Sequence, residues 1–316
     1  MSEPKRHHWW PEVQSRQWAG PDGLLHVVRA DGSVFRAPPS KVGVEGELYT
    51  KLDLTGKKNR DIERWFSREI ESPFAGVLGK LIGLEGIVRR YLPSQGDRAH
   101  RRDVKDLGFI IKDYHEDLPM NAAGRPAIVN YLAALVVRSP IYLNKLTDWH
   151  ARTNAVSLPL PVGPSDVRGL ALENMLFLYD VYRKAIMNAH IALTIADCDR
   201  EYLFADGGIV AKEPWSKRPL PFDLYAPLTP KLALNVLPLP NADTDRLWVA
   251  RLNGQGVSRY NRMAVGGAVR FVFSKSSPPL AFIKRHFGVP APAAFGSRWV
   301  DGKLETRYDR ARDRPL

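Results

Sequence analysis

The chain has 316 residues, 44% hydrophobic and 10% aromatic, which excludes a wholly disordered protein and fits one large or two interlocked domains. Lys and Arg number 46 against 34 Asp and Glu, and this net charge of +12 points to a polyanionic partner. A single cysteine, Cys198, excludes an intrachain disulfide and any structural zinc site built on several thiolates.

Cys198 stands between Asp197 and Asp199, whose charges oppose thiolate formation, so an inert thiol is expected. No run reaches the ~18 apolar residues of a membrane span. The opening Met-Ser-Glu-Pro-Lys-Arg-His-His lacks the apolar core of a secretory signal, so a cytoplasmic protein is expected.

In chain order, Leu24 to Arg29 and Ser33 to Arg36 are short extended runs around Asp31-Gly32, a strong hairpin signal. Glu47 to Thr50 is a further extended piece. From Asn59 the period changes. Ile62, Trp65, Phe66 and Ile70 fall on one helical face, with Asn59 as N-cap and Pro73 expected to kink or interrupt the helix. Val77, Leu78 and Leu81 continue the pattern. Asp97 to Arg102 is a basic loop or helix start, and Val104 to Tyr114 reads as another helix.

Pro126 suits the first turn of a helix that continues through Tyr131 and Leu135 to Ser139-Pro140. A second piece runs from Ile141 to about Arg152, and Ser157 to Pro164 is a proline-rich connection. Ser165 or Asp166 then caps the clearest helix, whose stripe of Val167, Ala171, Met175, Leu178, Tyr182 and Ile186 faces a core. Beyond Asn188 the pattern turns to β: Ile191 to Ala196, Glu201 to Phe204, Leu224 to Ala226, Leu232 to Leu237 and Trp248 to Ala250. Ser258 to Phe273 reads as a helix weakened by Gly266-Gly267. Residues 301–316 alternate charges and form a flexible tail. The sum is an α+β fold over residues 1–300, with a helical middle flanked by short β segments from both ends that share a sheet. Residues 1–300 are read as a single domain, with the connection at 157–164 as the one place where it could be subdivided.

Motifs for a P-loop, a Rossmann phosphate turn, a zincin and a nucleophile elbow are all missing. Lys5-Arg6-His7-His8-Trp9-Trp10-Pro11 combines cations, imidazoles and indoles that suit phosphate and base contacts, or else two core tryptophans beside solvated charges. Arg89-Arg90 and Arg98 to Arg102 form the densest basic cluster, read as a phosphate-facing or merely solvated face, and positive charge is also concentrated at Lys5 to His8 and Lys284 to His286. Glu63, Glu69, Glu71, Asp206 and Asp243 are candidate acids. Asp206 follows a predicted strand and precedes Gly207-Gly208, a setting that presents a carboxylate to a ligand or simply makes a turn.

His8-Trp9-Trp10-Pro11, followed by Arg16 and Trp18, is similar to the H-Y-V-P-x-x-Y-L-R-x-F opening of the bacterial domain of unknown function 4238 family. Val42 to Thr50, Ile70-Glu71, Val137-Arg138-Ser139-Pro140, Phe204-Ala205-Asp206-Gly207, Pro227 to Pro230 and Tyr260-Asn261-Arg262 resemble its later motifs, in order. The resemblance spans roughly Lys5 to Ser274. It departs at Trp9, Trp10 and Gly207-Gly208, which puts a shared role of that last loop in question.

The resemblance implies no established chemistry but singles out six polar residues expected to converge. His8 is placed as general base or metal ligand. Glu71 and Asp206 serve as acid–base groups or ligands of a divalent metal. Arg16 and Arg138 act as phosphate clamps, with Asn261 on the substrate. The competing expectation is a buried polar network that fixes the fold. Two functions follow: a metal-dependent nuclease or phosphoesterase directed at nucleic acid, or a non-enzymatic module binding nucleic acid or protein.

Overall fold

The computed structural model describes residues 6–52, 57–91, 109–114, 124–157, 164–207, 224–237, 247–289, 296–300 and 303–307. It opens with β1 (Arg6–His8), α1 (Glu12–Ser15) continued by a 3-10 turn, β2 (Leu25–Arg29) and β3 (Val34–Ala37). The Asp31-Gly32 hairpin forms as expected. Gly32 takes a left-handed φ of 81°, and Ser33 N donates to Asp31 Oδ1 at 2.8 Å. Strand β4 (Val44–Gly46) lies against β1, with His7 opposite Glu45. The extended piece expected at 47–50 is instead a turn. Glu47 has φ 54°, and its carboxylate accepts from Thr50 and Arg60, so side-chain bonds hold a conformation that strand pairing would forbid.

After β5 (Lys51–Leu52) and β6 (Lys58–Asn59) comes α2 (Asp61–Trp65), where Asn59 Oδ1 accepts from Asp61 N at 2.8 Å. The next turn, Phe66–Glu71, is π-helical, and α3 (Ser72–Tyr91) runs on through Pro73. Inside a regular helix Pro73 would kink or interrupt it, because its ring clashes with the carbonyl four residues back and it offers no N–H. The π turn just before it shifts the carbonyls by one residue, and Ser72 Oγ donates to the Ser67 carbonyl at 2.9 Å.

Residues 109–114, expected as helix, form strand β7 (Phe109–Tyr114), because the Phe-Ile-Ile run finds a partner strand at a sheet edge. The basic run 97–102 lies outside the described residues. Helix α4 (Gly124–Arg138) has Pro126 in its first turn and is buried along nearly its whole circumference, which makes it the central core helix. Helices α5 (Pro140–Ser157) and α6 (Pro164–Met187) pack on it, with the predicted α6 stripe inward.

The second half supplies β8 (His190–Ala196), β9 (Phe204–Ala205), β10 (Leu224–Pro227), β11 (Leu232–Leu237) and β12 (Leu247–Leu252). Then come α7 (Gly254–Gly266), β13 (Phe271–Ser274), α8 (Leu280–His286), β14 (Gly296–Val300) and β15 (Lys303–Arg307). One sheet has the order β10-β11-β8-β12-β7, parallel only between β8 and β12. A four-stranded sheet, β3-β2-β13-β9, joins the two ends of the chain as the α+β reading required.

Three expectations here need correction. Of the strand predicted at Glu201 to Phe204 only Phe204 pairs, because the Glu201 carboxylate turns to accept Lys275 N and Ser276 N. The helix predicted over Ser258 to Phe273 spans 254–266 and ends at the diglycine, so that Phe271 enters the sheet. Residues 303–307 of the expected flexible tail pair with β14.

The two ends are joined by aromatic packing. Trp10 stacks on Phe204 with centroids 4.9 Å apart, Phe204 on Phe273 at 4.4 Å, and Trp18 meets Phe204 edge-on at 4.5 Å. Trp9 and Trp10 are therefore core residues, 2% and 1% exposed. Among the described residues no single helix is long and apolar enough to cross a membrane.

Candidate functional site

Arg138 ends helix α4 and is 1% exposed. A buried guanidinium needs both charge compensation and hydrogen-bond acceptors. Nη1 pairs with Glu71 Oε1, while Nη2 donates to the His8 carbonyl and lies 3.8 Å from Glu63 Oε2. The guanidinium sits over the Phe66 ring at 4.3 Å and the Tyr49 ring at 5.5 Å. Tyr49 Oη donates to the Arg138 carbonyl at 2.6 Å, and Tyr49 N donates to His7 Nδ1 at 2.9 Å. Thus β1, the β4–β5 turn, α2, the π turn and α4 meet on one cation.

The π turn explains why two carboxylates reach it. Residues eight apart on a regular helix are rotated by about 80°, and the extra residue of a π turn cuts this to about 20°. Glu63 and Glu71 therefore share a face, so two carboxylates stand against one guanidinium. Burial, reinforced by the Glu71 charge, raises the Glu63 pKa from 4.5 to about 7, although Arg138 and a hydrogen bond from the His8 backbone act against the shift. Burial works against the Arg138 charge, but its neighbours, Glu71 foremost, more than offset this and hold its pKa above the ordinary value.

The six residues expected to converge fall into two groups. His8, Arg16, Glu71 and Arg138 belong to one connected region: His8 Nε2 lies 3.9 Å from Glu12 Oε2, and Arg16 Nη2 is 2.8 Å from Glu12 Oε1. Arg16 is 67% exposed there, so its ion pair contributes about 0–1 kcal/mol. Asp206 and Asn261 lie in the other group.

Asp206 accepts from Val269 N and Arg270 N, both at 2.8 Å, and so pins the turn between α7 and β13. Next to it Gly207 is required by close approach, since a Cβ there would lie 1.9 Å from the Gly267 carbonyl oxygen. Asp206→Ala is expected to cost about 1–3 kcal/mol in urea unfolding, and Asp206→Asn less, because the amide retains one acceptor. A loss below about 0.5 kcal/mol for the alanine variant would show that the turn does not depend on this carboxylate.

Asn261 Oδ1 accepts from Leu203 N at 2.8 Å and its Nδ2 donates to the Glu201 carbonyl at 2.7 Å, tying α7 to the β8–β9 loop. It also lines a cleft of about 370 Å³ with Asp199, Arg200, Glu201, Ser258 and Phe282. Sequence reasoning placed Glu63 only among the general acids, because the π turn that brings it to Arg138 has no local signature. Among the described residues no group of three or more His, Cys, Asp and Glu side chains is placed to hold a metal ion, so the expected ligand set for a divalent ion is not gathered.

A family profile described as "Protein of unknown function (DUF4238)" matches residues 6–278. The chain belongs to this family. Comparison with curated proteins and with solved structures gives no match. All six residues singled out by the resemblance lie within the DUF4238 span, whereas α8 follows it. The cations of α8 are therefore a feature of this chain that the DUF4238 match does not cover.

Proposed function

We propose that the chain is a non-enzymatic module that binds nucleic acid through the basic surface around α8. Like charges crowded together on the outside carry this reading. Lys284 and Arg285 are exposed and form no ion pair among the described residues. Beside them the His286 pKa is lowered, first by burial and then by the Arg262 and Arg285 charges, so two arginines act on one imidazole at this end of α8. The C-terminal end of a helix dipole favours such cations by only about 0.3–1 kcal/mol each. A phosphate backbone supplies the missing counter-charge. The Lys284 stem lies over Gly32, where a Cβ would come within 2.4 Å of Lys284 Cε, so the β2–β3 turn borders the same surface.

The nuclease or phosphoesterase reading has less support. Arg138 is engaged by Glu71 and the His8 carbonyl, and the Asp206 carboxylate by backbone N–H groups. Neither is left to clamp a phosphate or hold a metal.

Fluorescence anisotropy with a labelled single-stranded oligonucleotide in rising KCl tests the proposal. Affinity is expected to fall linearly in log–log form. Reversing Lys284 and Arg285 to glutamate should weaken binding and reduce the slope by about 1.4 for two lost phosphate contacts. An absence of binding at low salt, or binding indifferent to the reversal, would overturn it. Capture of a protein partner by the same surface with no oligonucleotide binding would favour a protein-binding module.

A further inference from the structure

We propose that the cleft beside α8 seats one unstacked base of a single-stranded nucleic acid, and that Asp199 selects bases carrying an exocyclic amino group. This rests on the nucleic-acid reading above and assigns the base-reading part of that surface. The cleft lies between the β8–β9 loop, the face of α7 carrying Ser258 and Asn261, and the segment leading into α8. Phe282 forms its aromatic wall and packs edge-on against His286 with centroids 4.8 Å apart. One short helix thus supplies both the wall of the cleft and the exposed cations Lys284 and Arg285. Arg285, three residues on from Phe282, lies on the same side of the helix, so a strand with a phosphate on Arg285 has a base beside the cleft.

Size and chemistry decide the occupant. At about 370 Å³ the cleft is at the small end of ligand pockets, which run from about 300 to 1,000 Å³, and suits a single ring system. Most of its polar wall is already fixed from within. Glu201 Oε1 accepts from Lys275 N at 2.9 Å and Ser276 N at 3.1 Å. Arg200 Nη1 donates to the Gly254 carbonyl at 3.0 Å and to Ser258 Oγ. Asn261 spans Leu203 and Glu201. Such a frame is preorganised and loses little freedom on binding.

Asp199 is different: it is exposed and has no hydrogen-bond or ion-pair partner among the described residues. Its free acceptor oxygens line the same cleft as the Glu201 side chain, and such negative charge repels a phosphate and accepts N–H groups. An aspartate accepts from the cytosine amino group, and thymine has none to offer. The flat face of Phe282 stacks on any base, so Asp199 supplies the discrimination.

The test compares labelled oligo-dC and oligo-dT of equal length by anisotropy against the full chain. The wild type is expected to bind oligo-dC about fivefold or more tighter, the lower end of what one good base contact provides. Asp199→Ala, at an exposed position with no partner to lose, should bring oligo-dC down to the oligo-dT level while the salt dependence remains. Reversal of Lys284 and Arg285 should weaken both oligonucleotides and preserve their ratio. Equal wild-type affinities with a steep salt dependence would overturn the base seat and leave the basic surface standing. A preference that survives Asp199→Ala would also overturn it. Failure of either oligonucleotide to bind would remove the surface reading and the base seat together.

Discussion

Replacing Arg138 by methionine is expected to destabilise the fold by about 3–5 kcal/mol in urea unfolding. The loss comes less from missing attraction than from what is left behind. Glu63 and Glu71, 14% and 23% exposed at the side chain, would face each other with no cation between them, and the His8 carbonyl would lose its donor. Neutralising both acids in the same molecule, as Glu63→Gln and Glu71→Gln, should recover most of the loss. A buried ion pair exchanged for neutral groups of like volume is often close to neutral. If the single and triple variants are equally unstable, packing over Phe66 and Tyr49 is the larger contribution of Arg138. A single variant that unfolds like the wild type would contradict the network altogether.

Raising the pH from 4.5 to about 7 is expected to destabilise the wild type by about 3 kcal/mol through Glu63. Its folded pKa is raised from 4.5 to about 7, so the folded state holds the proton more tightly than the unfolded chain. The contribution is fully present below pH 4.5 and is lost as the pH rises towards about 7, where the folded carboxyl must ionise as well. The groups facing it are Arg138 on α4, Glu71 on the π turn, Tyr49 before β5 and the His8 backbone on β1. Glu63→Gln should remove this portion of the pH dependence and make the protein more stable than the wild type above neutrality. Parallel stability curves for the two proteins between pH 4.5 and 8 would contradict the assignment.

The fold was legible where one period dominated. The hairpin at Asp31-Gly32, the buried helix through Tyr131 and the α6 stripe came directly from alternation or helical spacing. Errors arose where tertiary partners outweighed local pattern. Residues 109–114 became strand because β12 offers them a ladder, and Phe271 to Ser274 did so because β2 and β9 flank them. Pro73 was read by the rule for a regular helix, and the π turn that satisfies its neighbourhood leaves no pattern in composition.

Half of the candidate site was legible for a related reason. Of the residues singled out, Glu71 and Arg138 meet, His8 reaches them through its backbone carbonyl while its imidazole faces Glu12, and Glu63 joins them only through the π turn. Asp206 and Asn261 were singled out as well, and they hold the α7–β13 turn and the β8–β9 loop. A polar residue required by a turn and one required by a ligand look alike in one sequence.

The proposed holding of nucleic acid on an exposed basic surface, without cleavage, is open to one direct test. The direct measurement incubates the protein with a single-stranded oligonucleotide, with and without Mg²⁺ or Mn²⁺, and follows binding by anisotropy and integrity on a denaturing gel. Salt-sensitive binding is expected, weakened by reversal of Lys284 and Arg285, with an oligonucleotide of unchanged length. An oligonucleotide that never binds would contradict it, as would metal-dependent cleavage abolished by Glu71→Gln in a protein that remains folded.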